Sequence, residues 1–314
     1  MEKRSLGKSG ISVAPLAFGG NVFGWTADQA TSFRMLDRFV DLGFNLVDTA
    51  NTYSTWVAGH QGGESETVLG NWLSQSGKRD KVVVATKVGM KMGDGSQGLK
   101  AAYIAKSVED SLRRLRTDRI DLYQAHIDDA ETPLEETLGA FAKLIQAGKV
   151  RAIGASNYKG ARLREALETS KRLGLPRYET LQPSYNLYDR EDFENDLLPV
   201  VKEYNLGVIP YFALARGFLT GKYRKAEDIV GRPREAGLKK FFEGDRGTRV
   251  LAALDQVAKR KNMLPAEIAV AWVMSAPGIT APIASATSLS QLDEVLSGVH
   301  RQLDDEDRAI LDRA

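Results

Sequence analysis

The chain has 314 residues, with 43 Lys plus Arg against 41 Asp plus Glu, a formal net charge of +2. That balance excludes the strongly basic surface that nucleic-acid or membrane-surface binding requires, and 43% hydrophobic with 27% charged residues excludes a disordered or fibrous chain. The absence of Cys removes disulfides, thiolate clusters and a cysteine nucleophile. Three His (His60, His126, His300), without H-x-H or H-E-x-x-H spacing, give few ligands for a catalytic zinc, so no metal is expected. The polar start Met1-Glu2-Lys3-Arg4-Ser5-Leu6-Gly7 carries no apolar signal core, and runs such as 268–274 fall short of the roughly 18 residues of a membrane span, so a cytoplasmic protein is expected.

In chain order, short β-branched or apolar runs alternate with stretches of helical spacing. They predict eight strands, at 14–18, 45–49, 82–87, 121–126, 150–156, 179–183, 207–211 and 280–285. Helices are expected at 28–42, 62–75, 101–116, 132–147, 159–173, 190–205, 248–262 with 265–275, and 288–297. A small hairpin turning at Lys8-Ser9-Gly10 precedes the first strand. The helix at 132–147 reads as a Thr132 N-cap with Pro133 in the first turn, an apolar stripe of Leu134, Leu138, Phe141, Leu144 and Ile145, and Gly148 at its end. Pro265 opens its helix behind Leu264, a poor cap. Residues 53–63 and 215–247 are too long for ordinary connections and read as functional loops.

Eight β-α units without a Gly- or Pro-rich linker favour an α/β fold of the (β/α)8 TIM-barrel type. It would form one domain over 1–314, with the hairpin at its N-terminus and the long loops at its C-terminal face. A doubly wound sheet would carry G-x-G-x-x-G after its first strand; Gly19-Gly20-Asn21-Val22-Phe23-Gly24 lacks that turn and the ending of a P-loop.

In such a barrel chemistry sits where the strands end. The second strand ends in Asp48, followed by Tyr53; the third ends in Lys87 and the fourth in His126. Asp48 alternates in phase with Leu46, Lys87 with Val83 and Ala85, and His126 with Leu122, so all three point into the barrel. With strands about 4.8 Å apart, they converge on one Tyr hydroxyl. A nearby ammonium is expected to lower the phenol's pKa from about 10, with Asp48 balancing the charge of Lys87 and His126 hydrogen-bonding a substrate oxygen. Taken singly, each residue has an ordinary structural use: a solvated Lys, an Asp helix cap, a satisfied His. Their common position at three consecutive strand ends makes the constellation.

At this point the sequence resembles the aldo-keto reductase superfamily over residues 4–296. The motifs are Asn45-Leu46-Val47-Asp48-Thr49-Ala50-Asn51-Thr52-Tyr53, Gly63-Glu64-Ser65-Glu66, Val84-Ala85-Thr86-Lys87, Asp121-Leu122-Tyr123-Gln124-Ala125-His126, Gly154-Ala155-Ser156-Asn157, Gln182-Pro183-Ser184-Tyr185-Asn186 and Gly217-Phe218-Leu219-Thr220-Gly221-Lys222-Tyr223. The resemblance implies an oxidoreductase interconverting carbonyls and alcohols with an extended nicotinamide dinucleotide. Its catalytic tetrad falls on Asp48, Tyr53, Lys87 and His126, with Tyr53 the general acid or base. It also puts Ser156, Asn157 and Gln182 on the nicotinamide carboxamide and stacks the ring on Tyr211. Leu214, Gly217 and Leu219 fall in the pyrophosphate-side loop, with Lys222 and Arg232 as candidate charges, and Ser285, Thr287 and Gln291 lie at the adenosine end. Those three stand where many NADP-preferring members are basic; NADP(H) is expected from the family, with NAD(H) the alternative. A helix N-terminus with hydroxyls can still hold a 2′-phosphate.

Phe23, Trp25 and Trp56, in loops after the first two strands, are expected to wall a small-molecule substrate site. Two rival functions are a non-catalytic or regulatory nicotinamide-binding subunit on the same barrel, and a hydrolase using Asp128 and Asp129. Adjacent loop carboxylates need not face each other, and hydrolysis would give the Lys87–Tyr53 pair no role. No nucleic-acid or membrane partner is expected, and the sequence specifies no oligomeric state.

Overall fold

The computed structural model describes residues 1–314. A two-stranded antiparallel hairpin, β1 (Arg4–Ser5) with β2 (Ser12–Val13), opens the chain. Eight parallel strands follow: β3 (Ala17–Gly19), β4 (Leu46–Asp48), β5 (Val83–Val88), β6 (Ile120–Ala125), β7 (Val150–Ser156), β8 (Tyr178–Gln182), β9 (Gly207–Val208) and β10 (Ile283–Ala284). They pair in the order β10-β3-β4-β5-β6-β7-β8-β9. Between β9 and β10, Thr280 N donates to Val208 O and Ile283 N to Pro210 O, both at 2.8 Å, which joins the two edges and closes the ring. This is the expected (β/α)8 barrel, with helices outside the sheet.

Strands 207–211 and 280–285 are shorter than expected because Pro210 and Pro282 have no N–H to give a ladder. Helix Leu134–Gln146 starts later than its sequence suggests. Pro133 is its N-cap with no side-chain bond, and the hydroxyl of Thr132 instead donates to Asp129 Oδ2 at 2.7 Å. Gly148, at φ +72°, follows the C-cap Ala147 as expected. Residues 192–197 form a π-helical turn ahead of helix Leu198–Tyr204, and helix Asp305–Asp312 was not anticipated. No helix is long and apolar enough to cross a membrane.

Two cores result. The outer one lies between sheet and helices; the inner one fills the barrel and includes Ala17, Leu46, Val83, Ala85, Leu122, Ala152 and Ile283. Leu46, Val83, Ala85 and Leu122 are the residues whose phase oriented the strand ends, so the alternation holds. The inner core also takes Leu6, Ile11 and Val13 from the hairpin, which plugs the barrel's N-terminal end. Gly207 permits this: a Cβ there would lie 2.7 Å from Gly7 N. The chemistry is thereby confined to the opposite end.

Candidate active site

At the C-terminal ends of β4, β5 and β6, three ionisable side chains meet on one phenol. Lys87 is fully buried, and its ammonium donates to Asp48 Oδ2 at 2.7 Å, Thr49 O at 2.8 Å and Tyr53 OH at 2.8 Å. Its three hydrogens therefore each have an acceptor. Tyr53 OH in turn donates to Asp48 Oδ2 at 3.2 Å. The His126 ring lies 5.9 Å from that of Tyr53, edge to face, and its Nδ1 is buried without a partner. Tyr53 is held by a turn that continues through Ser54 at φ +79°, a left-handed position for a buried non-glycine residue.

The electrostatics differ from the sequence expectation in one respect. Burial and the adjoining Asp48 carboxylate push the Tyr53 phenol well above its ordinary range, where a fall had been expected from Lys87. Desolvation acts against phenolate first, and the Asp48 carboxylate, 3.2 Å from the phenol oxygen, adds to it although the Lys87 ammonium lies nearer at 2.8 Å. Tyr53 is consequently a neutral donor at physiological pH. Burial lowers the Lys87 amine, with Asp48 opposing it. Burial, then the Lys87 charge, holds His126 well below its usual range, so its imidazole is neutral.

Above this group opens a cavity of about 1130 Å³. It runs from Tyr53, Trp25, Trp56 and His126, past Ser156, Asn157, Gln182 and Tyr211, along Leu214, Gly217 and Lys222 to Ser285, Thr287 and Gln291. Asn157, at φ +57°, donates to His126 O at 2.8 Å and accepts from Tyr211 OH at 2.7 Å. Ser156 Oγ donates to Gln182 O at 2.9 Å, and Gln182 Nε2 donates to Asp48 Oδ1 at 2.8 Å. Ser285 donates to Asn21 Oδ1 at 2.6 Å, while Thr287 N and Oγ1 both donate to Gln291 Oε1 at 3.0 Å.

Three expected residues lie elsewhere. Phe23 is fully buried, packed edge-on to Phe18 at 5.2 Å, because its loop turns it into the outer core while Trp25 and Trp56 face the cavity. Leu219 is fully buried in that core, and Arg232 is exposed with its guanidinium toward Asp228 O. The cations that do line the cavity beside Lys222 are Arg216 and Arg234. Arg216 lies 4.0 Å over the Phe212 ring and Arg234 5.7 Å over that of Trp25, and burial lowers both guanidinium pKa values. Asn21, Met90 and Phe212 were also missed. Residues 215–247 are a folded strap of short helical turns, anchored where Phe218 stacks on Phe241 at 4.7 Å. The rival carboxylates are engaged elsewhere: Asp128 pairs with Arg162, and Asp129 accepts from Leu99 N and Thr132.

A half-buried phenol lining an elongated polar cavity is suited to protonating an oxygen beside a long bound ligand. A Bacillus subtilis protein named as the uncharacterized oxidoreductase YrpG is 35% identical over 313 residues, covering 98% of this chain and 93% of its own. The B. subtilis aldo-keto reductase YhdN is 33% identical over 98% of this chain and 92% of its own. A probable voltage-gated potassium channel subunit beta from Oryza sativa is 32% identical over 94% of this chain and 90% of its own. The model of the aldo/keto reductase family matches residues 15–314. The chain belongs to the aldo/keto reductase family, and its relatives support a carbonyl-reducing oxidoreductase.

Proposed function

We propose that this protein reduces aldehydes or ketones to alcohols, and runs the reverse oxidation, with NADP(H) as cofactor and Tyr53 as proton donor. The carrying observation is the contiguous Asp48–Lys87–Tyr53 cluster, at 2.7–3.2 Å, opening onto one long cavity. A carbonyl oxygen gains negative charge during reduction, and a neutral phenol can give it a proton directly. The phenolate left behind lies 2.8 Å from the Lys87 ammonium, which stabilises the charge where it develops. Neutral His126, lining the same cavity, hydrogen-bonds the oxygen and orients the carbonyl.

The cavity suits a dinucleotide. Its volume exceeds the roughly 300–1,000 Å³ of common small-ligand pockets. Arg216, Lys222 and Arg234 line it without any carboxylate partner and would hold phosphates; Ser156, Asn157 and Gln182 would hold the carboxamide, and Tyr211 the nicotinamide face. A reduced nicotinamide bound there supplies the hydride. The three unpaired cations would serve the pyrophosphate that NADP(H) and NAD(H) share, so NADP(H) rests on the family resemblance, with Ser285, Thr287 and Gln291 beside Glu294 at the adenosine end. Trp25, Trp56 and Met90 suit a carbonyl on an apolar or flat body. The test is NADPH oxidation over a panel of aldehydes, ketones and sugars. Tyr53→Phe should lose most of the turnover with cofactor affinity nearly unchanged, and retained turnover would refute the assignment.

The rice channel subunit favours a second reading, a nicotinamide-binding regulatory subunit. The assembled proton-donor cluster favours turnover over that role, and steady reduction of 4-nitrobenzaldehyde would dismiss it.

A further inference from the structure

Gln124 belongs to none of the roles assigned so far. It is fully buried on β6, directly across the ladder from Lys87 on one side and Gly154 on the other. Its Nε2 donates to Asp48 Oδ1 at 3.4 Å, and its Oε1 accepts from Gln182 Nε2 at 3.4 Å. Gln182 Nε2 also donates to Asp48 Oδ1 at 2.8 Å. Asp48 Oδ2 holds Lys87 and Tyr53, so its other oxygen and the two amides close a triangle on the far side of the carboxylate. Space for that triangle comes from Gly154, where a Cβ would stand 3.2 Å from Gln124 Cγ and 2.1 Å from Thr180 Oγ1.

An amide nitrogen carries two hydrogens and its oxygen none. Both hydrogens of Gln182 are committed within the protein, one to Asp48 and one to Gln124. Ionised Asp48 accepts only, so the Gln182 amide cannot turn over without setting oxygen against carboxylate. Its Oε1 is thus the atom left for a ligand in the cavity that Gln182 lines.

We propose that Gln124 is a positioning residue that locks the Gln182 amide with its carbonyl presented as a hydrogen-bond acceptor, and so ties the carboxamide grip to the carboxylate that holds the Lys87–Tyr53 pair. This rests on the cofactor reading above. It makes Gln182 select for an N–H on the nicotinamide substituent, a preference that binding alone can measure.

The test uses the full-length protein and titrates tryptophan fluorescence with NADP+ and with its 3-acetylpyridine analogue, whose methyl group replaces the carboxamide NH2. Wild type should bind NADP+ about ten-fold better, the worth of one well-placed hydrogen bond. In Gln124→Met, which keeps the volume, and in Gln124→Asn, which withdraws the amide by one methylene, that ratio should fall to about three-fold or less. In both variants kcat for carbonyl reduction should drop while KM for the carbonyl stays put, a split that loosened packing would not produce. An undiminished ratio in both folded variants overturns the role of Gln124 and leaves the proposed function standing. A wild type that does not bind NADP+ overturns both.

Discussion

Replacing Asp48 by Asn keeps its shape and removes its charge, which isolates the ion pair at the centre of the site. Lys87 and Asp48 are 0% and 1% exposed and 2.7 Å apart. Removing one member of such a pair strands the other in a medium that cannot solvate it, at a cost of about 3–5 kcal/mol. For 314 residues at about 2.1 cal/mol/K each, the entropy of unfolding is about 0.66 kcal/mol/K, so each kcal/mol moves Tm by about 1.5 °C. Asp48→Asn should therefore melt about 5–8 °C below wild type by circular dichroism. Adding Lys87→Met removes the stranded charge and should recover most of that loss, because a buried pair replaced by apolar groups is often close to neutral. Melting of Asp48→Asn within about 1.5 °C of wild type, or of the double variant no higher than the single one, would show that the Lys87 charge is not stranded.

His126 makes stability depend on pH. Its folded pKa is depressed, so the unfolded chain takes up the proton first as pH falls below about 6.5. Its contribution is present above that pH and is lost at up to about 1.4 kcal/mol per pH unit until the folded pKa is reached; urea melts at pH 7.0 and 5.5 should show this loss reduced in His126→Asn. Gly70 packs helix Glu64–Ser76 so closely on the end of helix Ala101–Leu115 that a Cβ would lie 2.0 Å from Arg114 O. Gly70→Ala should cost about 1–3 kcal/mol in chemical denaturation, whereas Gly139→Ala, with open space around it, should cost nothing. Arg234→Gln should raise the Kd for NADPH about ten-fold and flatten its salt dependence; an unchanged salt slope would remove Arg234 from phosphate binding.

Much of this molecule was legible because strands alternate strictly. The phase of Leu46, Val83, Ala85 and Leu122 pointed Asp48, Lys87 and His126 into the barrel, and the same phase on β6 marks Gln124, two residues before His126. Loops have no such rule. Phe23 and Trp25 lie two residues apart in one loop, and one joins the outer core while the other lines the cavity. The strap over 215–247 owes its order to contacts with distant residues, such as Lys240 with Asp189, so no periodicity announces it. Helix Asp305–Asp312 begins with a run of acids that reads as solvated surface, yet Asp304 and Asp307 cap each other and pair with Lys261. The direction of the Tyr53 shift needed burial and the distance to Asp48, neither of which a sequence contains.

The closure of the barrel also joins the two ends of the chain in time. Arg4 donates to Thr280 O across 276 positions, and β3 pairs with β10. At roughly 5–20 residues per second, a ribosome releases β3 on the order of 15–50 s before β10 exists. Throughout that interval one side of β3 is a bare strand edge, open to pairing with another nascent chain. The seam between β3 and β10 is therefore where expression yield should respond most to chaperone supply and growth temperature.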